Sequence, residues 1–203
     1  MMDKLFERAS IFNRLLDCKY NIILGKRTVL TNICITFNKI HFHHLIGLQY
    51  LSDRPELNQD RTRIFDQILN NELTYHQISS SGLFCDIESR FLSFLYIEDF
   101  LDSNGLVFRF NSRANTGSSM KAKYILENTI DSGTAYVCID NTDNSNEYFC
   151  RSFFPKEKID YTSGHTRHTL LYKEKIHIAT QEKVIQYDKL TPKEELNLNE
   201  SNV

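Results

Sequence analysis

Three of the seven histidines in this chain lie within four positions, as His41, His43 and His44. They follow a strand-like apolar run at 29–37 and precede an apolar turn that contains Gly47. Imidazole is the side chain best suited to transferring protons near neutral pH. A histidine where a strand ends and a packed turn begins can be held rigidly yet remain reachable, so His44 is a candidate for proton transfer. The alternative is that His41 and His43 are solvated side chains on an extended segment, while the neighbouring leucines pack.

The segment 151–175 is a second candidate for chemistry, because it is locally basic in a chain whose formal net charge is −2. Its aromatic residues are interleaved with its cations, a composition typical of surfaces that bind phosphates. The alternative is a solvated strand edge that lysines protect from aggregation. The cations are Arg151, Lys156, Lys158, Arg167, Lys173 and Lys175, against the acids Glu157, Asp160 and Glu174.

Composition and motifs argue against several classes of protein. The 203 residues, 41 % of them hydrophobic, suit one α+β domain, and no apolar run is long enough to span a membrane. The first eight residues include acids and lack an apolar region, so we expect no secretory signal. Five scattered cysteines predict reduced core thiols and a cytoplasmic location. The motifs GxGxxG, GxxxxGK[ST], HExxH and CxxC are missing, so we expect no cofactor and no metal.

The hydrophobic periodicity predicts helices largely in the first half and strands in the second. Helices are predicted over 5–17, 60–73 and 87–101, and strands over 20–24, 29–37, 106–110, 124–126, 134–139, 147–154 and 168–172. This order predicts an α+β fold in which N-terminal helices precede an antiparallel sheet of at least four strands, with the 87–101 helix on one face. We expect a single domain over 1–189 and a polar, mobile tail over 190–203.

Several short motifs, taken in order, resemble the phage-associated branch of the barnase–EndoU–colicin–RelE (BECR) nuclease superfamily, specifically its fourth subgroup. They are the turn 44–48, the lysine-bearing strand start 120–126, the hairpin strand 148–155 and the segment 160–164. The resemblance spans about residues 20–178 and implies a BECR-like RNase fold. Two positions depart from it. Ile46 stands where the family usually has threonine, so a hydroxyl that positions substrate would be missing, and His165 stands where relatives often have an amide.

The resemblance implies a metal-independent endoribonuclease of toxin or phage-associated type, in which the ribose 2′-hydroxyl attacks the adjacent phosphate. Such an enzyme must move protons and stabilise charge on the phosphoryl oxygens. By resemblance, His44 transfers protons, Lys121 meets the phosphate charge and Ser152 donates a hydrogen bond, so these three must border one cleft. RNA is the implied partner, together with a neutralising antitoxin or immunity protein. Substrate-binding residues are expected among Lys123, Arg151, His165, Thr166 and Arg167.

Other interpretations of the same residues stay open. Lys121 also suits a solvated strand start, and Ser152 suits the edge of a strand ladder. A non-catalytic RNA- or protein-binding module derived from a nuclease would carry the same motifs. ADP-ribosyl transfer is a third class, since Arg109 or Arg113, Ser118-Ser119 and Glu147 loosely imitate such a site. RNA products that end in a cyclic phosphate or 3′-phosphate would favour the nuclease over both.

Overall fold

The computed structural model describes residues 2–114, 120–141 and 146–192. Within these ranges no helix is long and apolar enough to cross a membrane. The helices are α1 (Lys4–Leu16), α2 (Lys39–Ile46), α3 (Arg61–Leu69), α4 (Tyr75–Ser79), α5 (Glu88–Ser93) and α6 (Ile97–Asp102), with 3-10 turns at Leu48–Tyr50, Pro55–Asn58, Phe84–Asp86 and Phe94–Tyr96. The strands are β1 (Cys18–Lys26), β2 (Val29–Thr36), β3 (Leu106–Arg109), β4 (Tyr124–Ile130), β5 (Gly133–Asp140), β6 (Glu147–Pro155), β7 (Thr166–His177) and β8 (Lys183–Asp188).

All eight described strands belong to one sheet, in the order β1-β2-β6-β5-β4-β3-β7-β8. Strand β7 also pairs with β1, so the first seven strands of this order close into a ring, and β8 pairs with the second half of β7. The pairing of β2 with β6 is parallel and covers three residue pairs, whereas the other pairings are antiparallel. The sheet is therefore mixed.

The predicted α+β class is correct, but the prediction of a simple antiparallel sheet is too narrow. The later strands do pair antiparallel, from β3 through β6 and between β3 and β7. The early hairpin β1–β2 joins the same sheet, however, and β2 pairs parallel with β6 after a connection that contains the helices α2 to α6 and the strands β3 to β5. Local alternation of apolar and polar residues predicts that a segment is a strand, but it does not predict which distant strand becomes its neighbour.

Aromatic packing fixes the helices against the sheet. Phe12 of α1, Phe42 of α2, Phe65 of α3 and Phe94 of the 3-10 turn after α5 are fully buried, with ring centroids 5.1–6.3 Å apart. The ring of Phe94 also lies 5.8 Å from that of Phe153 on β6. Because each buried aromatic removes a large apolar surface from water, this cluster holds α2 firmly against β6.

The histidine cluster lies on a helix, which corrects the prediction that it ends a strand. The Asn38 side chain caps α2 by accepting a hydrogen bond from the Ile40 amide at 3.1 Å, and Gly47 ends the helix with a φ of 93°. Asn and Gly are the residues preferred at these two positions. On α2, His41 and His44 are three residues apart and share one face, whereas His43 turns inward and is only 5 % exposed. The alternative in which His43 is solvated is therefore wrong.

Other predicted elements differ mainly in their ends. The helix α1, the strands β1 and β2, and the helix α3 lie where the sequence predicts them. The single helix predicted over 87–101 is interrupted by the 3-10 turn Phe94–Tyr96, and β8 was not predicted. All five cysteines are free, but Cys85 is exposed, so the prediction of core thiols is wrong there. Residues 115–119 and 142–145 and most of the segment 190–203 lie outside the described residues, and the domain boundary at 189 stays a prediction.

Candidate active site

Strand β5 is buried on both faces, whereas its neighbour β6 is buried on the face toward the main core. On β5, Val137 and Ile139 contribute to the main core under the helices, whereas Tyr136 and Cys138 belong to a smaller apolar cluster on the opposite face. Phe108, Phe110, Met120, Ala122, Phe154 and Tyr161 pack against this second cluster. Side chains that follow the second face of β6 therefore point away from the main core.

A β-bulge on β6 exposes Arg151 and Ser152. Opposite β5, Ser152 pairs with Cys138 and Cys150 pairs with Ile139, so Arg151 is an extra residue without a direct partner in the ladder. Cys150 and Phe153 both enter the main core, which strict alternation along β6 would not permit. Such bulges redirect side chains and are common beside active sites. We call Arg151 and Ser152 the β6 ridge.

Two adjoining clefts meet at the β6 ridge, and both are lined by Tyr50, Arg151 and Ser152. The cationic cleft has a volume of about 550 Å³ and is also lined by Arg90, Lys121, Lys158, Asp86 and Glu157, among others. The aromatic cleft has a volume of about 670 Å³ and is also lined by Phe37, His41, His44, Arg61, Tyr148 and Phe149, among others. Both volumes fall in the range typical of sites that bind small molecules or parts of larger ones.

His44 lines the aromatic cleft and is half-buried on α2. Burial lowers the pKa of His44 below its usual value, and the positive charges of Arg61 and Arg151 lower it further. The side chain of Gln49 acts in the opposite direction on that pKa. The imidazole of His44 is therefore mainly neutral near pH 7 and can accept a proton.

The other two histidines of α2 have different surroundings. The ring of His41 stacks on Phe149 with centroids 4.8 Å apart and an interplanar angle of 17°, and it lines the aromatic cleft beside His44. His43 lies 3.2 Å from the carbonyl oxygen of Leu57 through its Nε2 atom. Burial lowers the pKa of His41 and of His43 to about 4. His43 is structural, whereas His41 is a wall of the aromatic cleft and not the solvated side chain of the alternative interpretation.

The β6 ridge presents one charged and one hydroxyl side chain. A guanidinium nitrogen of Arg151 lies 2.9 Å from a carboxylate oxygen of Asp140, which fixes one side of the guanidinium. The remaining N–H groups of Arg151 can donate to a phosphate. Ser152 is half-buried beside it and supplies a hydroxyl to both clefts.

Lys121 and Lys123 differ in their exposure and in the clefts that they line. Lys121 is exposed and lines the cationic cleft, whereas His44 lines the aromatic cleft, and the two clefts share the β6 ridge. Lys123 is half-buried and lines a third cleft of about 410 Å³, where Lys121 and Arg109 are also found. The three residues that were predicted to border one cleft, His44, Lys121 and Ser152, thus line two adjoining clefts with Ser152 on the boundary.

Three predicted substrate-binding residues lie elsewhere. His165, Thr166 and Arg167 stand at the start of β7, where this strand pairs with β3, and they line neither of the two clefts at the ridge. The His165 ring accepts a hydrogen bond from the Asn111 amide at 3.1 Å, and burial lowers its pKa. Thr166 and Arg167 are exposed. The strand β7 is also not a neighbour of β6 in the sheet, because β5, β4 and β3 lie between them in one direction around the ring and β2 and β1 in the other.

Sequence reasoning missed Tyr50, Arg61 and Arg90. Arg90 donates to the backbone oxygen of His44 at 3.4 Å, and its guanidinium lies 5.3 Å from the ring centroid of Tyr50. A cation inside the apolar segment 87–101 was a signal that could have identified Arg90. Arg61 follows the Asp60 cap of α3 and is exposed, and no local pattern distinguishes it from a solvated arginine.

The described residues contain no group of three or more His, Cys, Asp or Glu that could hold a metal ion. The structure also shows where Ile46 lies and where two residues of the transferase-like set lie. Ile46 is fully buried in the core, so its side chain does not reach either cleft, and a hydroxyl there would not have met substrate. Of the residues that imitate a transferase site, Arg109 and Glu147 line different clefts, and Ser118-Ser119 lies outside the described residues.

Fold and site together define an α+β protein with a histidine, a serine and several cations around a bulged strand, a set suited to phosphodiester chemistry. The chain belongs to the family described as phage-Barnase-EndoU-ColicinE5/D-RelE like nuclease4, whose model matches residues 4–190. This match confirms the resemblance to the fourth BECR subgroup and extends beyond the range 20–178. No curated protein and no solved structure matches the chain.

Proposed function

We propose that this nuclease is a metal-independent endoribonuclease that cleaves by attack of the ribose 2′-hydroxyl on the adjacent phosphate. The observation that carries the proposal is the β6 ridge, which is shared by the cleft that contains His44 and the cleft that contains Lys121. A phosphate bound at the ridge meets Arg151 and Ser152 directly and has one of the other two groups on each side.

The placement of His44 and Lys121 in separate clefts suits an in-line displacement, in which the attacking and leaving oxygens lie on opposite sides of phosphorus. Neutral His44 accepts the proton of the 2′-hydroxyl from the aromatic cleft. Lys121, in the cationic cleft, faces the leaving 5′-oxygen and supplies positive charge and a proton there. Arg151 and the Ser152 hydroxyl donate to the phosphoryl oxygens, where negative charge grows in the transition state.

The charge around the clefts supports an anionic substrate. The cations that line one or both clefts are Arg61, Arg90, Lys121, Arg151 and Lys158, against the acids Asp86, Glu147 and Glu157. Cations attract phosphates and release counterions on binding, so the affinity of the protein for RNA should fall as salt increases. A neutralising partner and a cytoplasmic location remain part of the proposal as predictions from the family and the cysteines.

The test is cleavage of RNA by the purified wild-type protein in excess chelator, with His44→Ala as the matched variant. We expect products that end in a 2′,3′-cyclic phosphate or 3′-phosphate, and no cleavage at a nucleotide whose 2′-hydroxyl is methylated. Products that end in a 5′-phosphate, or loss of cleavage in chelator, would contradict the mechanism. RNA binding without cleavage by the wild type would replace the nuclease with the non-catalytic binding module.

A further inference from the structure

Tyr50 lies where the two clefts meet, and nothing in the cleavage mechanism uses it. It ends the 3-10 turn Leu48–Tyr50, and its amide donates to the Gly47 oxygen at 3.0 Å. Its side chain is 52 % exposed and lines both the cationic and the aromatic cleft. A large aromatic ring in this position leaves apolar surface open to water beside the proposed phosphate site.

The ring of Tyr50 is supported on one side. The Arg90 guanidinium lies 5.3 Å from the centroid of Tyr50 and 5.8 Å from that of Phe154. Arg90 is itself anchored, because it donates to the His44 backbone oxygen. A cation over an aromatic face holds both groups in place. Tyr50 is therefore a flat surface in a fixed position in the cleft that His44 also lines, and half of it is open to solvent.

The aromatic cleft provides walls of the same kind. His41 and Phe149 form a nearly parallel stack, and His41 is neutral at pH 7 because burial lowers its pKa to about 4. Phe37 and Tyr148 complete an aromatic lining around a volume of about 670 Å³. Flat aromatic walls beside a row of cations are the two components of sites that bind single-stranded nucleic acids.

We propose that the substrate is unpaired RNA and that Tyr50 stacks on the nucleobase next to the phosphate that is cleaved. This inference rests on the proposed function, which places that phosphate at the β6 ridge. A base inside a duplex has both faces covered by its neighbours, whereas a base in a loop or a single strand can lie flat on Tyr50 and enter the aromatic cleft. Stacking is tolerant of base identity, since every base has a π-face.

The test compares Tyr50→Ala with Tyr50→Phe, which keeps the ring and removes the hydroxyl. The ligand is a short fluorescent 2′-O-methyl oligonucleotide, which cannot be cleaved by 2′-hydroxyl attack, and its counterpart is an abasic strand of the same length. We expect Tyr50→Ala to weaken binding of the base-bearing strand by about 5- to 150-fold, the range for losing one stacked base. Tyr50→Phe should bind that strand as the wild type does, and neither substitution should change binding of the abasic strand.

An equal loss of affinity for both strands in Tyr50→Ala would overturn the proposal, because Tyr50 would then act through the fold or the charges. Unchanged binding of both strands would overturn it as well. The wild type should also cleave an RNA hairpin in its loop and not in its stem, and preferential cleavage of the stem would contradict the choice of unpaired RNA.

The outcomes for Tyr50 and for the cleavage mechanism are separable. A base-dependent loss in Tyr50→Ala without any RNA cleavage by the wild type would support stacking and remove the nuclease mechanism. Cleavage that depends on His44, together with normal binding by Tyr50→Ala, would keep the mechanism and remove the stacking role.

Discussion

The region around α2 and β6 and the region where β3 meets β7 have similar side chains and different structures. Both contain a histidine, an arginine and a hydroxyl residue, namely His44, Arg151 and Ser152 in one and His165, Arg167 and Thr166 in the other. In the first region the three side chains line adjoining clefts around a bulge. In the second, Thr166 and Arg167 are exposed in a regular antiparallel ladder with β3.

Convergence of the side chains on a cleft, more than their composition, separates a candidate site from a basic surface. Other cations lie close to His44 and help to lower its pKa, whereas burial alone lowers that of His165. A charge or hydroxyl on a flat, hydrated strand interacts weakly with a ligand because water screens it. The same group beside a cleft acts at short range and in a fixed orientation.

The largest expected effect compares the two histidines directly. Replacing His44 with alanine should slow RNA cleavage by about 10²–10⁴-fold, the usual range for a lost general acid or base. Replacing His165 with alanine should leave the rate close to that of the wild type, because His165 lines neither cleft at the ridge. Single-turnover cleavage of one labelled RNA by both variants provides the measurement. Equal rates for the two variants would erase the distinction between the regions.

A second comparison uses stability in acid. His43 is buried and its pKa is about 4 in the folded state, whereas the usual value of 6.5 applies after unfolding. The unfolded chain therefore takes up the proton first, so the free energy of unfolding should fall as the pH drops from about 6.5 to about 4. The full effect is on the order of 3 kcal/mol for this group.

Denaturant unfolding at several pH values would measure this loss in the wild type and in His43→Gln. The variant should lose less stability over that interval, although His41 titrates over the same interval and keeps part of the slope. His165→Gln serves as the control and should change the slope less than His43→Gln. A larger change in the control would show that the acid sensitivity belongs to the β3–β7 region.

The third comparison concerns the hydroxyl groups. If Ser152 donates to a charged phosphoryl oxygen in the transition state, Ser152→Ala should lose about 1.5–3 kcal/mol, or about 10- to 150-fold in cleavage rate. Thr166→Ala should have little effect, because Thr166 is exposed in the ladder with β3. Kinetics below substrate saturation would give the ratio of rate constants. A greater loss for Thr166→Ala would move the phosphate to the other region.

The comparison of Arg151 with Arg167 concerns the binding of RNA, and its expected effect is smaller. Arg151→Ala should weaken binding of an uncleavable RNA and reduce the slope of log affinity against log salt by about 1, as expected for the loss of one phosphate contact. Arg167→Ala should leave that slope unchanged. A salt titration of both variants would measure these slopes. A reduced slope in Arg167→Ala alone would contradict the assignment of the phosphate site to the β6 ridge.

The smallest effect is a displacement of the pH profile. His44 must be neutral to act as a base, so cleavage should decline as the pH falls through its pKa, which lies below the usual 6.5. The positive charge of Arg61 helps to lower that pKa. In Arg61→Gln the decline should therefore begin at a higher pH than in the wild type. A decline at an unchanged or lower pH would exclude Arg61 as a cause.

The sequence by itself identified most of the helices and strands and the family. Periodic apolar residues predicted α1, β1, β2 and α3 close to their observed positions, because each element must bury one face whatever its neighbours are. The order of short motifs pointed to the nuclease family that the match over 4–190 shows. His44, Lys121, Arg151 and Ser152 were all selected from these motifs, and all of them line the clefts at the ridge.

Only the tertiary structure decided how these residues meet. The parallel pairing of β2 with β6 brings α2 beside the bulge at Arg151, and both depend on contacts between distant parts of the chain. Tyr50 and Arg61 join the site for the same reason, since their local sequences resemble those of ordinary surface residues, whereas Arg90 stood out only as a cation inside an apolar segment. The exclusion of His165 and Arg167 is also tertiary. At least two strands lie between β6 and β7 in either direction around the ring, and spacing along the sequence does not predict that arrangement.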